Sequence, residues 1–194
     1  MTLPVTLIVE GAEDSRFLQD FVQFHFSTKL SDKAFIKVEG NASKLHRSRS
    51  AIELRTKKGN LNILIFDADA LGKDSTLTEI RNQAEELRLT LNDIFLLPNN
   101  QDSGNLESLL RDCIPQKNRA IINCIDAYAT CVGEIGIENL RKIDLKSKMY
   151  IYPGTFQSSE SSRGSTRSYL NPEVWDLYSF ELNPLKDFLA KYLA

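Results

Sequence analysis

Four short apolar stretches punctuate the first half of the chain, at residues 3–9, 34–38, 61–66 and 94–97. Each is too short to be a buried helix, and its apolar positions follow one another with at most one polar residue among them, Thr6, Lys37 or Asn62, rather than in strict alternation. Both faces of such a strand must be covered. Between them the apolar positions recur at helical spacing. Residues 14–27 carry Phe17, Leu18, Phe21, Val22 and Phe24 on one face, with Asp14 or Ser15 available as a cap. Residues 42–57 predict a second, basic helix. Thr76-Leu77-Thr78-Glu79 has the form of a capping box, opening a third helix through Leu77, Ile80, Ala84, Leu87 and Leu91. Strands that alternate with helices favour a parallel sheet with right-handed crossovers.

Beyond residue 105 the pattern turns helical. Residues 106–113 predict a short helix, and residues 118–132 a longer one with Ile121, Ile122, Ile125, Tyr128 and Val132 inward. A Ser-rich stretch at 154–168 reads as a loop. Residues 184–193 close the chain as a helix burying Leu185, Phe188, Leu189 and Leu193. The prediction is therefore an α/β domain: a mainly parallel central sheet of about four strands flanked by helices (core 1–112), with a helical C-terminal extension (113–194), all in one domain.

Composition narrows the function classes. A chain of 194 residues with 42% hydrophobic and 26% charged positions can bury a core and has no disordered bias. A formal net charge of −2 gives no global attraction to nucleic acid, so such a partner needs a local basic patch or bridging metal ions. Cys113, Cys124 and Cys131 show no paired spacing, and two fall in apolar helical patterns, which predicts reduced core thiols. No signal-peptide pattern precedes the first strand and no apolar run reaches the ~20 residues that span a bilayer. The expectation is a cytoplasmic protein without membrane contact.

The candidate chemistry lies where strands end. Leu7-Ile8-Val9 runs into Glu10-Gly11, and Ile63-Leu64-Ile65-Phe66 runs into Asp67-Ala68-Asp69. Two separate strands thus spend their final position on an acid that the core would reject one residue earlier. In a parallel sheet both acids reach the carboxyl edge, where open α/β folds bind ligands. Glu10 and Asp14 can meet across a strand-to-helix turn, and Asp67 and Asp69, two apart in an extended segment, aim the same way. Such oxygen donors suit Mg²⁺, whereas His25 and His46 are too isolated for a zinc set. The plainer reading of each acid is a helix cap, as for Asp74. Val38-Glu39-Gly40 repeats the first motif's letters, but Lys44 stands where an acid would follow, so Glu39 reads as a residue that orients a turn.

A second feature is basic. Between positions 44 and 58 stand Lys44, Arg47, Arg49, Arg55, Lys57 and Lys58 against the single acid Glu53. On a helix Lys44, Arg47, Arg55 and Lys58 share one face, which is either a stripe that follows a phosphate backbone or a solvated surface. Arg163 and Arg167 in the Ser-rich stretch offer a further contact.

Val9-Glu10-Gly11-Ala12-Glu13-Asp14 with Phe17-Leu18, followed by Phe66-Asp67-Ala68-Asp69, resembles the Toprim domain shared by topoisomerases, bacterial primases and nucleases of the overcoming-lysogenization-defect type. Small stand-alone bacterial Toprim proteins resemble the chain more widely, through Leu96-Leu97-Pro98, Gly104-Asn105-Leu106-Glu107, Trp175-Asp176 and Leu185-Lys186-Asp187-Phe188-Leu189. The resemblance implies one or two Mg²⁺ or Mn²⁺ ions. Glu10, Asp67 and Asp69 would bind the first, and Asp14, Ser103 and Glu107 would support a second. It also implies a late lysine, Lys146 or Lys148, as a catalytic cation beside Glu10, and phosphodiester hydrolysis of DNA or RNA as the activity.

Two other readings stand beside it. A metal- and nucleic-acid-binding module without catalysis would carry the same acids and work with a partner. Phosphatase chemistry of the haloacid-dehalogenase kind would need the Asp-x-Asp pair on the first strand, followed by Thr, whereas here Asp69-Ala70-Leu71-Gly72 follows the third. The chain has no Gly-x-x-x-x-Gly-Lys-Ser/Thr loop, so an ATPase of the kind that accompanies many such nucleases would have to be a partner protein.

Overall fold

A computed structural model describes residues 4–70, 72–156 and 168–193. Arg163, Arg167 and most of the Ser-rich stretch lie outside the described residues. The four apolar runs form strands β1 (Val5–Val9), β2 (Phe35–Lys37), β3 (Leu61–Asp67) and β4 (Asp93–Leu97), all parallel, in the order β2-β1-β3-β4. The register sets Leu7 opposite Phe35 and Ile63, and Ile65 opposite Phe95. Side chains alternate between faces. Leu7, Val9, Phe35, Ile63, Ile65, Phe95 and Leu97 enter one core, while Ile8, Ile36, Val38, Leu64, Phe66 and Leu96 enter the other. The consecutive apolar positions in the sequence are thus two interleaved faces, both covered.

The first face is covered by α1 (Ala12–Phe26) through Phe17, Leu18, Phe21 and Val22. On the same face pack residues of α4 (Leu106–Asp112), α5 (Arg119–Glu134), α6 (Leu145–Gly154) and α7 (Asn183–Leu193). The second face takes Leu45 from a 3₁₀ segment (Ala42–Ser48), Ile52 from α2 (Arg49–Lys57) and Ile80 from α3 (Lys73–Glu86). The expected C-terminal extension is no appendage, because Leu106, Ile122, Tyr152, Trp175 and Leu185 share one cluster with the strands.

Several boundaries differ from the sequence reading for local reasons. Helix α1 begins at Ala12, and Asp14 occupies its first turn with Oδ2 accepting from the Gly11 N–H (2.9 Å). Helix α3 begins at Lys73. Thr76 does not cap it but donates its hydroxyl to the Ala68 carbonyl (2.8 Å), tying the helix to the end of β3. Helix α6 was not predicted at all. In α5 Tyr128 is 57% exposed, and Cys124 and Cys131 face solvent, so only Cys113 is a core thiol. Residues 118–132 are apolar on two sides of one helix, and the fold covers the side bearing Ile122 and Ile125.

The open edge of β4 is blunted by its own neighbours. The outward N–H of Ile94 donates to Asp93 Oδ1 (2.9 Å) and that of Leu96 to Asn100 Oδ1 (3.2 Å), while the Asn100 N–H returns to the Leu96 carbonyl (2.6 Å). Such caps deny the edge to another strand.

The C-terminal elements are held by one buried phenol. Tyr152 Oη donates to the Val174 carbonyl (2.9 Å) and accepts from Asn118 Nδ2 (3.1 Å). Replacing Tyr152 with Phe keeps the ring and strands these groups, so urea unfolding should show a loss of about 1–2 kcal/mol. An unchanged midpoint would show that the phenol does not tie these elements together.

Candidate metal centre

The strand order fixes where a ligand site can form. From β1 the chain moves to β2 on one side, and from β3 to β4 on the other, so the connections diverge between β1 and β3. A crevice opens at the carboxyl ends of strands that part in this way. Glu10 directly follows β1 and Asp67 ends β3. The two acids flank the switch point. Glu10 Oε1 accepts from the Asp67 N–H (3.2 Å), and Asp67 Oδ1 accepts from the Leu106 N–H (2.9 Å) at the start of α4. Backbone donors therefore fix both carboxylates.

A cavity of about 360 Å³ occupies this crevice, lined by the acids Glu10, Glu13, Asp14, Glu39, Asp67 and Glu107 together with Arg16, Lys146 and Tyr150. Among the described residues six carboxylates face two cations there. Burial pushes the Asp67 carboxyl up to about 9, with the charges of Glu10, Asp14 and Glu107 adding to the rise against the Leu106 N–H. Burial likewise raises Glu10 to about 8 against the Asp67 N–H, with Asp14, Asp69 and Glu107 adding to it. Asp14 rises to about 6, chiefly by burial. Among the described residues the site is a pool of acidic groups with few cations beside them.

The donor chemistry fits a hard cation: clustered carboxylate oxygens, with no sulfur and no histidine among the described lining residues. Among the described residues no three His, Cys, Asp or Glu side chains stand at metal-ligating spacing. The acids share one cavity, but as they stand they do not close on a single point.

The other sequence candidates fall into two groups. Glu107 lines the cavity and Lys146 Nζ lies 3.8 Å from its Oε1, so Lys146 is the late lysine at the site. Lys148, two residues on, turns away and pairs with Asp126 (2.7 Å), which also takes Arg111. Asp69 does not share the aim of Asp67. The strand ends at Asp67, and Asp69 adopts a left-handed φ of 52°, exposed and outside the cavity lining, while its backbone pairs with Gly104. Gly104 has no room for a side chain there: its φ is +145°, and a Cβ would meet Ser108 Oγ at 2.7 Å. Ser103, beside it, is exposed and not in the lining.

The basic stripe is divided. Lys44 packs over Gly40 at the cavity rim and Arg47 is exposed on the 3₁₀ segment. Arg55 reaches the opposite edge of the sheet, where it donates to the Lys33 carbonyl ahead of β2 (2.6 Å), and Lys58 follows it at the end of α2. The change from 3₁₀ to α winding at Arg49 breaks the single face that a continuous helix would give.

Glu13, Arg16 and Tyr150 were missed, and Glu39 was assigned only to a turn. Glu13 accepts from both Arg16 and the buried Tyr169 phenol, which anchors residues 168–170 against α1 together with Asp20, whose Oδ2 accepts from the Tyr169 N–H. The Glu13/Arg16 spacing on one helix was a readable signal; the contact with Tyr169 spans the chain and left none.

In comparisons with known proteins, the profile of one family, described as "Protein of unknown function (DUF3226)", matches residues 4–194. No curated protein and no solved structure matches the chain.

The raised carboxyls make stability depend on pH. A carboxyl whose folded pKa lies above its unfolded value holds its proton more tightly when folded, so stability falls as pH rises from about 4 to about 9. Without divalent ions, urea unfolding should show a lower midpoint near pH 9 than near pH 5, and Asp67→Asn should flatten the slope. A wild-type midpoint that stayed level or rose across that window would remove the charge pool from the account.

Proposed function

We propose that this chain, which belongs to the DUF3226 family, is a Mg²⁺- or Mn²⁺-dependent phosphodiesterase acting on DNA or RNA. The observation that carries this reading is the cavity at the switch point, where among the described residues six carboxylates gather around two cations and burial raises three of the carboxyls. Evolved folds tolerate such an excess where a cation offsets it. Glu10 and Asp67 would hold a first ion, with Asp69 nearby on the β3 side. Asp14 and Glu107 would serve a second.

Mg²⁺ or Mn²⁺ held by these acids would supply positive charge for the phosphate oxygens and would make water a better nucleophile. The hydrolysis itself joins a water oxygen to phosphorus, breaks one P–O ester bond and leaves the water's proton on the departing oxygen. The chain's own part is placement. The Asp67 and Leu106 N–H groups fix the carboxylates of Glu10 and Asp67, and the Gly11 N–H fixes Asp14. Lys146, next to Glu107, offers positive charge to the phosphoryl oxygens. Lys44 at the rim, with Arg47 beyond it, gives a short basic approach for the backbone, and the distant Arg55 and Lys58 drop out of that approach.

Purified protein incubated with Mn²⁺ or Mg²⁺ and supercoiled DNA, single-stranded DNA or structured RNA should cleave at least one of them. Asp67→Asn should lower the rate by about 100-fold or more. If wild type and variant were equally inert yet bound nucleic acid in a metal-dependent way, a non-catalytic binding module working with a partner protein would replace the hydrolase.

The two late lysines should separate cleanly. Lys146→Ala should slow cleavage by about 10-fold or more while leaving unfolding little changed. Lys148→Ala should lower stability by about 1 kcal/mol through the lost Asp126 pair and leave cleavage intact. Equal kinetic effects from both would remove Lys146 from the site.

A further inference from the structure

The cavity poses a problem for any polyanion that enters it. Among the described residues its lining holds six acids and two cations, so a nucleic-acid strand is repelled there except where cations intervene. One attraction is indifferent to that field. Stacking of a base on an aromatic ring needs no charge on either partner and contributes with any base. Among the described residues Tyr150 is the one aromatic side chain in the cavity lining, and it stands 44% exposed. It lies four residues after Lys146 on α6, so the two share one helical face with their Cβ atoms roughly 6 Å apart. A cation for a phosphate and a ring for the adjoining base thus stand side by side over the carboxylates.

Resting on the phosphodiesterase reading, we propose that Tyr150 is a base-stacking platform and that the site accepts a nucleotide whose base is unpaired, in a single strand or at a frayed end. The size of the cavity supports this. About 360 Å³ lies at the small end of ligand sites, enough for one nucleotide but not for a base pair with its second backbone. A base still paired within a duplex keeps both faces against its neighbours and offers none to Tyr150. Specificity for unpaired ends follows from geometry rather than from hydrogen bonds to base edges, so it carries no sequence preference.

The test uses the full-length protein with Mn²⁺ and three short DNA probes of one sequence: a single strand, the same strand with one abasic site, and its blunt duplex. Wild type should cleave the single strand faster than the duplex. Tyr150→Ala should raise KM for the single strand by about 10-fold or more with little change in kcat, and Tyr150→Phe should restore wild-type behaviour. With the abasic site at the position of cleavage, wild type and Tyr150→Ala should become alike, which a merely structural role for the ring would not produce. Equal losses on intact and abasic strands, or equal cleavage of strand and duplex by wild type, would overturn the proposal.

Binding provides a separate readout. Tyr150→Trp fluorescence should be quenched by the intact single strand more than by the abasic strand, against the constant signal of the buried Trp175. If no probe is cleaved while this quenching appears, the hydrolase reading fails and the stacking platform stands. If cleavage proceeds and neither quenching nor the KM effect appears, the platform fails and the hydrolase reading stands.

Discussion

Two carboxylates at the ends of adjacent central strands govern this structure. A charge at the end of a buried strand is tolerated only because the strand stops there; β1 stops at Val9, level with Ile65, and β3 runs two positions further to Asp67. Their hydrogen bond through the Asp67 N–H holds Glu10 to the neighbouring strand rather than letting it turn to solvent. The first turn of α1 brings Asp14, and the start of α4 brings Glu107, so four elements converge on one concentration of negative charge. Each contributes through backbone geometry. The charge therefore cannot disperse without undoing the sheet edge itself.

The C-terminal half completes that centre rather than extending the domain. Helices α4 and α6 close the crevice with Glu107, Lys146 and Tyr150, and they are held by the large buried rings of Tyr152, Tyr169 and Trp175. Tyr169 links both roles, since its ring packs in the core against Phe17 and Trp175 while its phenol reaches Glu13 in the cavity lining. The aromatic core thereby positions the wall of the site.

What could be read from the sequence divides by the range of the interactions involved. The four strands and Glu10 and Asp67 were legible, because a strand-end acid is visible wherever an apolar run stops. Asp69 stands outside the cavity lining because alternation holds only while the chain stays extended, and its φ turns positive just past the strand. Helix α6 was hidden: its buried residues Met149, Tyr152 and Pro153 do share one helix face, but the exposed apolar Tyr150 and Ile151 fill the run between them and Pro153 reads as a helix breaker, so the choice between Lys146 and Lys148 stayed open. Cys124 and Cys131 misled for the opposite reason, since α5 is apolar on more sides than the fold covers. The Toprim resemblance named Glu107 and a late lysine but had no means of naming Glu13 or Tyr150, whose place depends on contacts far apart in the chain.

The caps on β4 have a consequence for how the protein comes into being. Asp93 and Asn100 lie one and four positions from the N–H groups they satisfy. Partners so close in sequence find one another without waiting for distant parts of the chain. Most of the elements that cover the first face of the sheet, α4 to α7, are synthesised after β4, so the parallel sheet emerges from the ribosome with only α1 available to cover that face. A parallel sheet at that stage is slow to form and open to pairing with other chains. Its last strand carries its own stopper from the moment it is made, and the aggregation risk of the half-finished protein is lowered before any of its tertiary structure exists.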